Sequence, residues 1–408
     1  MSEITSFLAN LVHDNLVLTF GLLLVVGALG GVLAARIRWL PTITGYMAIG
    51  LAMGPSGLGI LNDQGLSQAL VLVDIALGLI LFKLGTALHP VKAWRTPGLV
   101  LTGVAESLIT ALVIGVLLWW LSGSLIVALL GGAIAVSSSP AVLIHVAHEF
   151  DAEGPTLDAA EMLVAINNVL SFLLFTLALP IALFGQGGTL LSAIEVPLVS
   201  MAGAVAFSVV TALIITRISR VTLVHEAHLR FPLVVGGVML VLGLAQALNV
   251  SGLFGALTLG IATRWLEKRR SSLSNIEFGG GGDVFFITLF VVAGAKLHLH
   301  DLVQYWPVAL AFVGARAAAK VVTVTSLGPL FGYPVKKSFA AGLLLVPMAG
   351  LAIGLLQTTS TLVPELGARM GAIVLAAVAI FETIGPPVAA WAIKFVGEDG
   401  AAKSAADS

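Results

Sequence analysis

Thirteen apolar stretches, most near twenty residues long, follow one another along the 408-residue chain. They run at 16–35, 41–60, 66–88, 98–121, 124–147, 158–184, 194–216, 229–248, 251–266, 283–299, 304–331, 337–359 and 367–393. A helix of about 20 apolar residues crosses the hydrocarbon of a bilayer. Lipid offers no partner for backbone N–H and C=O groups, so such stretches must pair their own backbone as helices. Only 10% of the residues are charged, against about 25% in soluble chains. The expected fold is therefore an all-α polytopic membrane protein of about 13 transmembrane helices. A net charge of -1 gives no reason to expect nucleic acid as a partner. The absence of cysteine excludes disulfides and Cys-type zinc sites. Met1–Asn15 lacks the basic segment of a signal peptide, so the first stretch reads as a retained helix. The run Gly279–Gly282 reads as a flexible connector, and 397–408 as a disordered cytoplasmic tail.

Positive charge orients the chain. Fifteen of the 20 Lys and Arg residues fall on one side of alternating connections, among them Arg36, Arg95, Arg217, Arg270, Lys337 and Lys394. Lys296 and Arg369 fall on the other side, and Lys83, Arg316 and Lys320 lie within spans. The positive-inside rule then places the N-terminus outside and the C-terminus in the cytoplasm.

Thirteen segments divide as six, one and six. The odd segment between them gives the two sixes opposite topology, the inverted-repeat plan of many secondary transporters. The fifth segment is interrupted at Ser137-Ser138-Ser139-Pro140, and its counterpart, the twelfth, at Pro347-Met348-Ala349-Gly350. Pro140, Pro347 and Gly350 are the breaking residues, since proline lacks a donor and clashes with the preceding turn. Matched breaks of this kind point to a binding site built from unwound backbone and half-helix ends.

Polar residues at bilayer depth gather on the neighbouring segments. Asn167 and Asn168 lie in the sixth, Glu382 in the thirteenth, Glu106 in the fourth, and Arg316 with Lys320, one helical turn apart, in the eleventh. Such residues are costly in a membrane and mark function or internal pairing. Asp74 and Lys83 in the third segment and Glu161 in the sixth are accessory candidates. Asp74 is expected to face a cavity or pair with a cation. Lys83 either snorkels or charges an interface. Glu161, seven residues before Asn168, lies on nearly the same face about 10 Å away. The eight histidines, seven at helix ends and His13 near the N-terminus, read as solvated loop residues. No pattern supports hydrolysis, nucleotide binding or electron transfer, so neither an enzyme nor a cofactor is expected.

On Leu40-Pro41-Thr42-Ile43-Thr44-Gly45-Tyr46, on Gly54-Pro55-Ser56-Gly57-Leu58, on Leu77-Gly78 through Phe82 and on Ser138-Ser139-Pro140-Ala141-Val142, the chain resembles a known family. With the Arg316-to-Lys320 segment and the broken twelfth helix, it is similar to the monovalent cation:proton antiporters of the Kef-type and bacterial sodium/proton branch. The resemblance implies crossed broken helices and a homodimer in the bacterial inner membrane. It implies scaffold and dimer helices at 1–97 and 229–303, a linker helix at 185–228, and a transport core at 98–184 and 304–396. The core would slide elevator fashion, carrying sodium or potassium against a proton. The implied ion site comprises Ser138, Ser139, Asn167, Asn168 and Lys320.

The chain departs from that pattern where the family carries acids. One or two carboxylates usually stand where Asn167 and Asn168 stand. The third segment reads Gly85-Thr86-Ala87-Leu88 in place of Gly-Leu-Glu-Leu, and the twelfth has Met348-Ala349-Gly350 in place of a glutamate motif. An amide offers a carbonyl oxygen to a cation but cannot titrate. Coupling to protons must then use another group. Glu382 carries a proton or forms a salt bridge with Arg316 or Lys320; Glu106 is a second candidate partner for Lys320. A cation or anion-linked carrier without proton coupling, and a non-transporting sensor, are the alternative readings.

Overall fold

The computed structural model describes residues 15–37, 41–61, 63–87, 96–184, 190–222, 229–248, 250–267, 273, 279–295, 299–348 and 350–400. Every predicted segment is helical there. The helices are α1 (Leu16–Ala35), α2 (Thr42–Met53), α3 (Asp63–Ala87), α4 (Pro97–Ser122), α5 (Leu125–Val136), α6 (Pro140–Glu149), α7 (Pro155–Phe184) and α8 (Leu190–Thr222). They continue as α9 (Arg230–Ala247), α10 (Gly252–Leu266), α11 (Gly279–Ala295), α12 (Leu299–Leu327), α13 (Val335–Leu344), α14 (Gly350–Leu362) and α15 (Pro364–Val396). The fifth segment is α5 plus α6, and the twelfth is α13 plus α14. Among the described residues, nine spans are long and apolar enough to cross a membrane; Thr42–Met53, Gly252–Leu266 and Gly282–Ala295 are shorter apolar helices.

The core is apolar, but so is the outer surface, unlike that of a soluble protein. Leu112, Trp120, Leu177 and Val322 are among many large apolar side chains left more than 60% exposed, while Glu106, Asn167, Asn168, Arg316 and Lys320 are all 0% exposed. Lipid contact explains the outer surface, and the few polar groups buried within the apolar core mark where function sits. Local signals set the ends. Ser124 caps α5 through a bond from Val127 N–H, and Gly123, with φ of 65°, supplies the left-handed residue that ends α4.

The helices pack as two groups. In one, α1, α2 and α11 pack together, α3 packs on α10 and α11, and α9 and α8 pack on α10. Small residues permit the close approach, since a Cβ at Gly260 would collide with the Phe82 carbonyl and one at Gly50 with the Val291 carbonyl. In the other, α4 packs on α5, α7 and α12, and α15 packs on α12, α13 and α14. The groups meet where α2 and α3 touch α6, and where α3 and α8 touch α7.

Two sequence expectations change. Gly279–Gly282 is not a connector but the first turn of α11. Gly282 is buried and lines a small cavity with Ala76 and Leu79 of α3, so a glycine here serves the approach of α11 to α3. The segment 397–400 is not free either. Glu398 is only 6% exposed, and its carboxylate accepts from Thr156 N–H (3.0 and 3.1 Å), the Thr156 hydroxyl (2.6 Å) and Leu157 N–H (3.1 Å). It caps the positive N-terminal end of α7, where an anion is favoured. Gly400 N–H donates to the Phe150 carbonyl at 2.9 Å. Residues 401–408 lie outside the described residues.

Candidate functional site

The two breaks cross. Ser139 N–H donates to the Pro347 carbonyl at 2.8 Å, and the Ser138 hydroxyl donates to the Leu345 carbonyl at 2.9 Å. Pro140 stands at the start of α6, where its missing N–H costs nothing, and Ser139 caps the helix by accepting from Val142 N–H at 3.4 Å. The end of α5 leaves four carbonyls without helical partners, and each has been answered. Ala133 O accepts from the Ser171 hydroxyl (2.7 Å) and Ile134 O from the Ser137 hydroxyl (2.8 Å). Ala135 O accepts from Arg316 Nε (2.7 Å) and Val136 O from Lys320 Nζ (3.0 Å). Arg316 also donates through Nη1 to the Val346 carbonyl and through Nη2 to the Ser137 carbonyl. Its guanidinium carbon lies 4.7 Å from the Phe381 ring centroid. One side chain of α12 thereby clamps both broken segments, and its positive charge faces the negative end of α5.

The asparagine pair lies against this crossing. Asn168 Oδ1 accepts from Ser138 N–H at 3.1 Å. Asn167 Nδ2 donates to the Ser138 hydroxyl at 3.2 Å, and its Oδ1 accepts from the Ser107 hydroxyl at 3.0 Å. The acid at this crossing comes from α4. Lys320 Nζ meets Glu106 Oε1 at 2.8 Å with both side chains 0% exposed. Thr110 donates to the same oxygen at 2.8 Å. Among the described residues, Glu106 Oε2 and Asn168 Nδ2 are buried and find no hydrogen-bond partner. A buried polar atom left unanswered is uncommon and calls for an explanation such as a ligand.

The structure therefore brings together Ser138, Ser139, Asn167, Asn168, Lys320, Arg316 and Glu106. It corrects the expectation that Glu382 pairs with Arg316 or Lys320. Arg316 is occupied by carbonyls, Lys320 is taken by Glu106, and among the described residues no ion pair reaches Glu382. Glu382, 5% exposed, stands beside Phe381 and three residues before Gly385, which packs against Pro347. Asp74 is exposed on α3 and lines a cavity of about 370 Å³ with Gln246. Lys83 and Glu161 are half-buried on α3 and α7. Gly350 begins α14 and packs on Leu77, while Ala349 lies outside the described residues. The histidine reading fails at His145, which lies within 5.2–6.0 Å of the rings of Phe286, Tyr46 and Phe290. His13, His89, His225, His228 and His298 lie outside the described residues. Among the described residues, no group of three His, Cys, Asp or Glu could hold a metal.

Ser107, Thr110 and Ser171 were not singled out in the sequence. A signal existed for two of them, because Thr102, Glu106 and Thr110 repeat at four-residue spacing, with Ser107 adjoining. That is one polar stripe on an otherwise apolar helix.

Comparison with known proteins places this geometry. The transmembrane sodium/hydrogen exchanger family matches residues 21–393. The glutathione-regulated potassium-efflux system protein KefC of Salmonella paratyphi B is 25% identical over 333 residues, covering 80% of this chain and 53% of that protein. KefC of Salmonella typhi is 24% identical over the same shares. The chain thus spans about half the length of the curated relatives it matches. Among solved structures, the sodium proton antiporter MjNhaP1 of Methanocaldococcus jannaschii at pH 8 has a TM-score of 0.67 at 21% identity, covering 92% of this chain and 96% of that one. That likeness carries the fold. The match of the family across 21–393 carries the membership: this chain belongs to the sodium/hydrogen exchanger family.

Proposed function

We propose that the protein exchanges a monovalent cation, sodium or potassium, for a proton, with the exchanging carboxylate on α4 and not on α7. The observation that carries this is the contact of 2.8 Å between Lys320 Nζ and Glu106 Oε1, wholly buried beside the crossed breaks. The cation enters at the open oxygen, Glu106 Oε2, with the Ser138 and Asn167 oxygens nearby as neutral ligands. As it takes the carboxylate, the Lys320 ammonium loses its counter-charge and releases a proton. An ion pair becomes a cation–carboxylate pair beside a neutral amine, so one proton leaves per cation and the charge of the site is unchanged. Asn167 and Asn168 orient the break and supply no proton. Glu382 is a reserve carboxyl outside this pair, and Asp74, Lys83 and Glu161 act on access and not on exchange.

Movement belongs to the same proposal. The helices of 98–184 and 304–396 form a core that slides as an elevator against a scaffold of 1–97 and 229–303, through which two copies pair. The family likeness and the division of packing into two groups support it. The same proposal puts the N-terminus outside and the C-terminus in the cytoplasm of a bacterial inner membrane, as the bias of Lys and Arg favours.

Reconstitution in liposomes tests the exchange. Sodium and potassium gradients are expected to drive proton flux that is insensitive to an imposed voltage, and Glu106→Gln is expected to abolish it. Flux surviving in Glu106→Gln but lost in Glu382→Gln would move the exchanging carboxyl to α15. Cation flux without proton movement would favour an uncoupled carrier, anion-dependent flux an anion-linked one, and no flux of any ion a sensor.

A further inference from the structure

Glu149 stands at the wrong end of its own helix. It is the last residue of α6, where the helix dipole is negative and an acid is disfavoured. Its carboxylate is answered by a different element. Thr42 N–H, at the first turn of α2, donates to Glu149 Oε1 (3.0 Å) and Oε2 (2.9 Å), and the Thr42 hydroxyl donates to Oε2 (2.8 Å). No side chain from α2's own N-cap residue, Pro41, caps this end. The positive start of α2 and the misplaced acid of α6 therefore satisfy each other. The Thr42 hydroxyl has one proton, which goes to Glu149, so the 3.1 Å contact with His145 Nε2 has the imidazole donating. His145 itself sits among Tyr46 from α2 and Phe286 and Phe290 from α11. Two turns of α6 are thus docked by one acid and one ring into α2 and α11.

The contact joins the two halves of the proposed machine, since α6 belongs to the core and α2 and α11 to the scaffold. Among the described residues, the other repeat shows no such contact. The counterpart of α2 is α10, whose start is capped from within by Ser251, accepting from Phe254 N–H at 3.3 Å. Two inverted repeats alone would give the two end states similar energies. An attachment present in one repeat only removes that balance.

We infer that Thr42, His145 and Glu149 form a one-sided latch that holds the core against the scaffold in the state seen here. The inference rests on the core moving as proposed above. When the core moves, Glu149 is returned to the unfavourable end of α6 and α2 loses its cap. A charge-assisted bond of this kind weighs enough to shift a two-state population about tenfold.

Spin labels test it on the whole chain in nanodiscs, since the protein contains no cysteine and labels attach only where cysteine is introduced. Val32 on α1 and Leu112 on α4 are 57% and 66% exposed and report the scaffold–core distance. The wild type is expected to show one dominant distance and a minor one. Glu149→Gln should raise the minor population about tenfold, Thr42→Val, which keeps the backbone N–H bonds to the carboxylate, should raise it less, and Thr42→Ser should leave it unchanged. An unchanged ratio in Thr42→Val and Glu149→Gln would overturn the latch while leaving the moving core intact. One distance in every protein at every pH and at every sodium or potassium concentration would overturn the moving core, and the latch with it.

Discussion

Glu106 and Lys320 show how a single pair can carry both stability and chemistry. Removing one partner of a buried ion pair leaves an unanswered charge and costs about 3–5 kcal/mol. Glu106→Gln is therefore expected to lower the unfolding temperature in detergent, and the apolar double replacement Glu106→Leu with Lys320→Met to recover most of it while remaining inactive. Asn168→Asp gives a different outcome. Its Oδ1 keeps the bond from Ser138 N–H, but a second carboxylate now lies at the crossing. Proton flux is expected to persist and to become sensitive to imposed voltage, read with a pH dye in clamped liposomes. At this scale the sequence was partly legible. Costly residues in an apolar setting announce themselves, so Glu106, Lys320 and the asparagines stood out. The partner of Lys320 stayed open between Glu106 and Glu382, because which acid reaches it depends on how α4 and α12 face each other.

The broken helices are legible for a local reason. Proline with a serine run at 137–140, and proline with glycine at 347–350, disfavour an unbroken backbone ladder, although Pro307, Pro386 and Pro387 are carried inside continuous helices. The account of who answers the freed carbonyls is not local. Ser171 comes from α7 and Arg316 from α12, and no spacing in α5 foretells either. Arg316→Lys should be poorly tolerated, since one ammonium cannot reproduce a planar fork that reaches carbonyls of both broken segments. Each carbonyl left unanswered costs about 1–3 kcal/mol, a loss that thermal unfolding would register even where liposome activity is retained. The glycine run at 279–282 misled because glycine is as useful for close helix contact as for a turn. Gly260→Ala should likewise destabilise, by about 1–3 kcal/mol, through collision with the backbone of α3.

At the scale of the whole molecule, hydropathy alone delivers the class of fold, because a bilayer admits so few ways to satisfy a backbone. The charge bias extends this to an orientation that can be measured. A cysteine at Lys394 is expected to react with a membrane-impermeant thiol reagent only from the cytoplasmic side, and one at Trp120, 79% exposed near the end of α4, only from outside. The reverse pattern would invert the assigned topology. The latch escaped sequence reading for the reason that defines it: Thr42 and Glu149 are 107 residues apart. Neither is unusual until the helices meet.

The capping of α7 by Glu398 sets a rule for anyone cutting or fusing this protein. A chain trimmed at residue 396 would retain every group of the crossing yet leave the first turn of the asparagine-bearing helix bare. A chain trimmed at 400 would keep the staple. Gly154 enforces the same boundary from the other side, since any side chain there would collide with the Glu398 carboxylate. The two truncations, alike by sequence, should separate sharply in yield and melting temperature.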